Sequence, residues 1–213
     1  RIYFCVDGVH GFGVENTNLA DIGCDFFVAG THKWIFGPRG TGVFFARKDA
    51  WDMIAPIIPP FEFGPYGAWM GVAAAWMGDT SKKEFSFADL CTPGGFHSFE
   101  HRWSLADAFQ WQLTIGKSRV EERTHALSKR LKEGLKSMAH IQLLTPIDES
   151  LSAGINCFLV KGQSAEETVK RLLAKNITAS VTPYKAIYAR LTPSIVNNEA
   201  EVDEVIKALE GIA

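Results

Sequence analysis

The chain has 213 residues, of which 46% are hydrophobic and 22% charged, with a formal net charge of -2; this is the make-up of an ordinary globular protein of one large or two small domains. Its basic residues are dispersed, which excludes the clustered positive face of a nucleic-acid or anionic-membrane binder, and no apolar stretch approaches the roughly 20 residues of a membrane span. Cys5, Cys24, Cys91 and Cys157 stand far apart, so neither a zinc site nor a disulfide framework is indicated.

In chain order, "RIYFCV" is a short apolar run of the buried-strand kind, closed by Asp7 and Gly8. The sequence opens inside that run, so a preceding portion is expected, and with it whatever would fix the compartment; the cytoplasm is the default, the periplasm the alternative. "NTNLADIG" reads as a short helix capped by Asn18, and "DFFVAG" and "GVFFAR" as two further strands. Strand, crossover and strand in this order predict part of a parallel α/β sheet.

Residues 52–98 are rich in Pro, Gly and aromatics and carry no clear periodicity, the mark of a functional or interface segment. "WSLADAFQWQLTI" and "KSRVEERTHALSKRLKEGLKSM" have helical spacing, the second with Val120, Leu127, Leu131 and Leu135 on one side. From about residue 138 the order becomes strand, strand, helix, strand, strand, helix ("IQLLTP", "AGINCFLV", "SAEETVKRLLAKN", "ITASVT", "YARLTPS", "EAEVDEVIKALEGI"). Ser164 and Asn198 each precede a glutamate by three positions, as in a capping box. The expected division is residues 1–116, the remainder of a large domain, and 117–213, a small α+β domain.

Ligands of open α/β sheets bind beyond the carboxyl ends of the strands. Asp7 ends one strand and Lys33 follows the end of the next, so an acid and an amine share one edge. Pyridoxal phosphate suits such a pair: a lysine holds it as a Schiff base, and a carboxylate keeps its ring nitrogen protonated. Taken singly, Asp7 reads as a strand-end turn residue and Lys33 as a surface amine.

The flanks make the pair specific. The stretch "VDGVHGFGVENTNLADIGCDFFVAGTHKWIFGPRGTGVFFAR" closely resembles the core of the class V aminotransferases, fold type I pyridoxal phosphate enzymes: a strand-end Asp, a Ser or Thr before His-Lys, and a G-P-x-G-x-G turn. The resemblance implies that the chain is the C-terminal part of a fold type I transferase. It makes Lys33 the Schiff-base lysine, Asp7 the partner of the pyridinium nitrogen and His10 a neighbour of the phenolic oxygen, with Thr31 and His32 at the phosphate. Gly37, Pro38, Gly40 and Gly42 supply shape rather than chemistry. In "YARLTPSIVNNEAEVDEV", Arg190 matches the arginine that grips the substrate carboxylate, with Thr192 and Val196 departing from the family's Ser and aromatic. "CTPGGFHSFEHRWSLADAF" resembles the segment that reaches the phosphate of a neighbouring active site; His97 and Ser98 are its candidates, ahead of Thr92, and the implied assembly is a homodimer with shared sites.

The resemblance is greatest to the isopenicillin N epimerase-like group, which includes exported siderophore-maturation enzymes. It implies aminotransferase or epimerase chemistry at the α-carbon of an amino-acid or peptidyl amine, with no nucleic acid or membrane as partner. The alternatives are a β-eliminating C–S lyase of the same family and a non-catalytic dimerising fragment. A desulfurase is disfavoured, because "NITASVTPYKAIYARL" has no cysteine ahead of the arginine.

Overall fold

A computed structural model of the chain describes residues 1–55 and 98–212. Strand β1 (Cys5–Asp7), helix α1 (Leu19–Ile22), strand β2 (Phe26–Gly30) and strand β3 (Gly42–Ala46) follow the order read from the sequence, in a sheet ordered β1-β2-β3. β1 and β2 run parallel, with Asp7 opposite Val28. β3 runs antiparallel to β2, with Gly30 opposite Gly42, so the expected parallel arrangement stops at the first pair. A parallel return needs a crossover, usually a helix, whereas residues 31–41 are taken up by the turn that carries Lys33 and contain none. Asn18 stands at the N-cap of α1, but its side chain donates to the Asp21 carboxylate instead of accepting a helix N–H.

The alternation of β2 sends Phe27 and Ala29 inward beside Cys24, with Val6, Phe12, Leu19 and Val43 packed around them. Gly8, directly after β1, lies against this core: a Cβ there would fall 2.1 Å from the Phe27 ring. Only glycine lets the chain leave β1 so close to the sheet.

The second half begins with α2 (Phe99–Ile115) and α3 (Lys117–Ser137). Then come β4 (Ile141–Leu143), β5 (Asn156–Val160), α4 (Ala165–Leu173), β6 (Ser180–Val181), β7 (Ala189–Leu191) and α5 (Glu199–Glu210). The sheet order is β4-β5-β7-β6, antiparallel throughout. The expected stripe of α3 buries Leu127, Leu131 and Leu135 against Phe158, Leu172, Ala189 and Leu209. Asn198 forms a complete capping box with Glu201, while Ser164 accepts from the Glu167 N–H. The segment at 56–97 lies outside the described residues, and with it His97 and Thr92.

α3 also fastens the two halves to each other. Its first turns hold the chain after β1: Glu121 accepts from the Asn16 N–H at 2.8 Å, and Lys117 Nζ donates to Asn18 Oδ1 at 3.3 Å. Further along, Lys132 is 1% exposed and donates to the carbonyls of Pro146 and Ile147 and to Ser152 Oγ, at 3.0, 3.1 and 2.8 Å. Burial pushes this amine below its ordinary value, and the three acceptors are what make a buried lysine tolerable.

A bidentate ion pair between Arg123 and Glu199 joins α3 to the start of α5, with Nη2 3.0 Å from Oε2. The guanidinium, with help from the helix-start N–H, holds the Glu199 carboxyl down at about 2. A carboxyl depressed in the folded state adds stability that is complete above its unfolded value near 4.5 and is lost as pH falls towards 2. Glu199→Gln should therefore show a smaller drop in Tm between about pH 5 and about pH 3 than the unaltered protein does. Equal drops in thermal melts would mean that the pair is not a source of the acid sensitivity.

Candidate active site

Both loops that leave the carboxyl ends of β1 and β2 are closed by main-chain hydrogen bonds. After β1, Gly8 donates to the Val28 carbonyl at 2.8 Å and extends the parallel ladder. Phe12 N–H then returns to the Gly8 carbonyl and Glu15 N–H to Gly11, at 2.8 and 2.9 Å, a helical turn that carries His10. Asp7 is exposed at the strand end, its Oδ1 accepting from the Val9 N–H at 3.2 Å.

After β2, Thr31 N–H donates to the Thr41 carbonyl and Gly37 N–H to the Thr31 carbonyl, at 3.1 and 2.9 Å, so residues 31–37 close on themselves. Phe36 holds the turn with φ +58, the left-handed region that non-glycine residues avoid at a cost of roughly 1–2 kcal/mol. Surrounding contacts stabilise that geometry. The Phe36 ring packs edge-on against Trp111 at 5.5 Å, and Gln112 Nε2 donates to the Trp34 carbonyl at 2.6 Å in a buried contact. His32 and Lys33 are left exposed on the outside of the turn.

Thr31 faces the other way. It is 0% exposed, and its hydroxyl lies 2.5 Å from that of Thr41. Thr41 Oγ1 donates to the Pro38 carbonyl at 2.6 Å. With its hydrogen so engaged, Thr41 accepts and Thr31 donates. The hydroxyl expected beside a phosphate thus builds the turn that presents His32 and Lys33.

The two loops meet at His10. Its Nε2 lies 3.3 Å from Lys33 Nζ, and its Nδ1 lies 3.4 Å from the indole nitrogen of Trp34. Burial, then the charge of Lys33, then that of Arg190 hold the imidazole below its ordinary value, and Asp7 opposes them. Arg190 therefore reaches this crevice electrostatically from β7, in the other half of the chain. On that strand its Nε donates to Ser180 Oγ at 3.0 Å. Among the described residues its two terminal nitrogens have no partner. Cys157 is the cross-strand neighbour of Arg190; burial pushes its thiol up, against the arginine's charge.

Of the residues singled out from the sequence, Asp7, His10, Lys33 and Arg190 come together, and His32 stands beside Lys33. Ser98 does not join them: it is the N-cap residue of α2, and its hydroxyl donates to Glu100 at 2.8 Å. Trp34, Ser180 and Gln112 were not singled out. Trp34 adjoins the lysine in sequence, but nothing in the sequence pairs Ser180 with Arg190 or Gln112 with the lysine turn.

The class-V aminotransferase profile matches residues 1–183. This chain belongs to that family. Isopenicillin N epimerase of Amycolatopsis lactamdurans is 22% identical, over 98% of this chain and 52% of that protein. Among solved structures, a cysteine desulfurase from Thermococcus onnurineus NA1 superposes with a TM-score of 0.79 at 21% identity, over 99% of this chain and 52% of that one. C-DES, described as a cystine C–S lyase, superposes with a TM-score of 0.77 at 17% identity, over 94% of this chain and 50% of its own. A variant of C-DES carries glycine covalently linked to its PLP cofactor. The chain spans about half the length of these relatives, and its fold is that of a fold type I PLP enzyme.

Pyridoxal phosphate is the cofactor of this family, and the residues present fit it. An exposed amine, a carboxylate at the adjoining strand end, an imidazole between them and a second imidazole beside the amine are the groups that an aldehyde, a ring nitrogen, a phenolic oxygen and a phosphate require.

The inward hydrogen bond of Thr31 separates the roles of Thr31 and His32. Thr31→Val should lower the unfolding free energy by about 1 kcal/mol, the worth of one buried hydrogen bond. His32→Ala, at an exposed site, should change it by less than about 0.5 kcal/mol. Urea denaturation of the two variants checks this; equal effects would contradict the scaffolding role of Thr31.

Proposed function

We propose that this chain forms the lysine-bearing half of a pyridoxal phosphate enzyme that moves a proton at the α-carbon of an amino acid or peptidyl amine. The observation that supports it most strongly is that the Lys33 amine, on the loop after β2, lies 3.3 Å from the imidazole of His10, on the loop after β1, at the shared carboxyl edge of the parallel pair. When bound, the cofactor supplies an aldehyde that condenses with an amine and a ring that takes up electrons from the α-carbon.

In this reading the Lys33 amine would hold the cofactor and would take and return the α-proton. Asp7 pairs with the ring nitrogen, and His10 donates to the phenolic oxygen. His32 serves the phosphate, on the loop that Thr31 shapes. Arg190 grips the substrate carboxylate with its two terminal nitrogens, because its Nε is already committed to Ser180. In a homodimer with shared sites, Ser98 would serve a neighbouring phosphate. Exposed apolar side chains on α2 favour such an interface: Trp103 and Leu113 are 72% and 62% exposed.

The likeness to isopenicillin N epimerase is consistent with an aminotransferase or epimerase outcome. A second reading, a β-eliminating C–S lyase, is favoured by the likeness to a probable L-cysteine desulfhydrase and to C-DES. Transfer of sulfur through a reactive cysteine is not favoured by Cys157, whose thiol burial pushes up.

Adding pyridoxal phosphate should produce an absorbance band near the visible edge that is missing in Lys33→Ala. No band from a folded protein would favour the non-catalytic dimerising fragment. With substrate amines in heavy water, deuterium should enter the α-carbon, and Asp7→Asn should slow that exchange and weaken cofactor binding. Keto-acid formation, inversion, or release of sulfide from L-cysteine then separates the outcomes. Arg190→Ala should raise KM for a free-carboxylate substrate by roughly tenfold or more, as expected for losing a charge-assisted contact. An unchanged KM would indicate a peptidyl substrate or another anchor.

A further inference from the structure

Arg190 stands in a cross-strand row with Cys157 and Ser180. Ala189 and Leu191 are buried in the core, so the alternation of β7 turns Arg190 to the opposite face. Its register partners, Cys157 on β5 and Ser180 on β6, share that face. The hairpin between β6 and β7 holds the pairing: Thr182 N–H donates to the Tyr188 carbonyl, Tyr188 N–H to Thr182 Oγ1, and Thr182 Oγ1 to the Ala186 carbonyl, each at 2.9 Å. A slip of one residue would set Ala179 or Val181 opposite the arginine, and neither has a side-chain acceptor.

A guanidinium has five N–H donors, one on Nε and two on each terminal nitrogen. A carboxylate takes two of them in parallel, along the edge that includes Nε or along the edge formed by the two terminal nitrogens. Ser180 Oγ accepts the Nε hydrogen at 3.0 Å, which closes the first edge. The second stays open, because the terminal nitrogens have no partner among the described residues. Neither flank neutralises the arginine. Ser180 carries no charge, and burial pushes the Cys157 thiol up, away from the thiolate.

We propose that Ser180 is a positioning residue that fixes the plane of the Arg190 guanidinium and leaves only its terminal edge free, so that Arg190 binds a carboxylate end-on. The clamp follows from the cross-strand geometry. That the carboxylate belongs to the substrate rests on the reading under Proposed function. An aspartate in place of the serine would turn the clamp into an internal ion pair and remove the free charge.

The clamp is read in 15N-labelled protein without cofactor, from hydrogen exchange at the Arg190 Nε–H, a signal assigned by its loss in Arg190→Lys. This hydrogen should exchange more slowly than that of free arginine. Ser180→Ala should speed the exchange roughly two- to tenfold, the effect of one hydrogen bond, and Ser180→Thr, which keeps the hydroxyl, should restore the protection. Propionate, a carboxylate without an amine, should shift the Arg190 signals, whereas propionamide should not. Its Kd, read at Arg190, should rise roughly two- to tenfold in Ser180→Ala and return in Ser180→Thr; in Ser180→Asp the response should vanish although the Nε–H stays protected.

An unprotected Nε–H in the unaltered protein overturns the proposal, as does protection that is unchanged in Ser180→Ala. Propionate binding that spares Arg190, or is equally tight in Ser180→Ala, overturns it too. The unaltered protein decides even where a variant fails to fold. Neither readout uses the cofactor or turnover, so failure here stays distinct from failure of the absorbance test.

Discussion

The parallel pairing of β1 with β2, Asp7 opposite Val28, sends two loops off the same edge of one sheet. Parallel neighbours present their carboxyl ends side by side, so Asp7, His10 and Lys33 become neighbours although they are separated in the chain. An antiparallel pair would put the loops at opposite ends. Gly8 extends the ladder by one hydrogen bond, to the Val28 carbonyl at 2.8 Å, and tolerates the approach of the Phe27 ring. The turn carrying His10 therefore starts at a fixed height relative to the lysine loop.

Within the crevice, opposing effects act on one imidazole. Burial and two cations disfavour a proton on His10, and a single carboxylate favours it; the net result is an imidazole held below its ordinary value. A neutral imidazole is useful here because it has both a donor and an acceptor, and its neighbours decide which nitrogen is which. A cationic His10 would instead repel the amine beside it.

The family and its cofactor were legible in the sequence because they reside in residue types and short spacings: a strand-end acid, the Thr-His-Lys triplet and the glycine turn. The small domain's helices were legible for a related reason. The stripe of α3 and the capping box at Asn198 are local patterns, and both form. The direction of β3 was not legible, because it depends on what fills residues 31–41 rather than on β3 itself. The bond between the Thr31 and Thr41 hydroxyls was not legible either, because it is made by the fold of the turn. Lys132 was not singled out from the sequence, yet it is buried, its amine donating to the carbonyls of Pro146 and Ile147. Each of these depends on contacts between distant segments, which no local pattern encodes.

The four-stranded sheet governs more of the site than Arg190 alone. Gly154 lies two residues before the start of β5, and β5 pairs directly with β7, which carries Arg190 opposite Cys157. One set of backbone hydrogen bonds thus fixes both the guanidinium that reaches towards His10 and the seat of the indole that bonds to it. The Trp34 carbonyl is tied to α2 through Gln112, and its ring edge to α3 and Gly154, so the lysine turn is gripped by the second half at two points. The surroundings of His10 are therefore shaped in part from outside the sheet that bears it. This explains why a residue type as common as glycine, more than a hundred positions from the lysine, belongs to the physical description of the site.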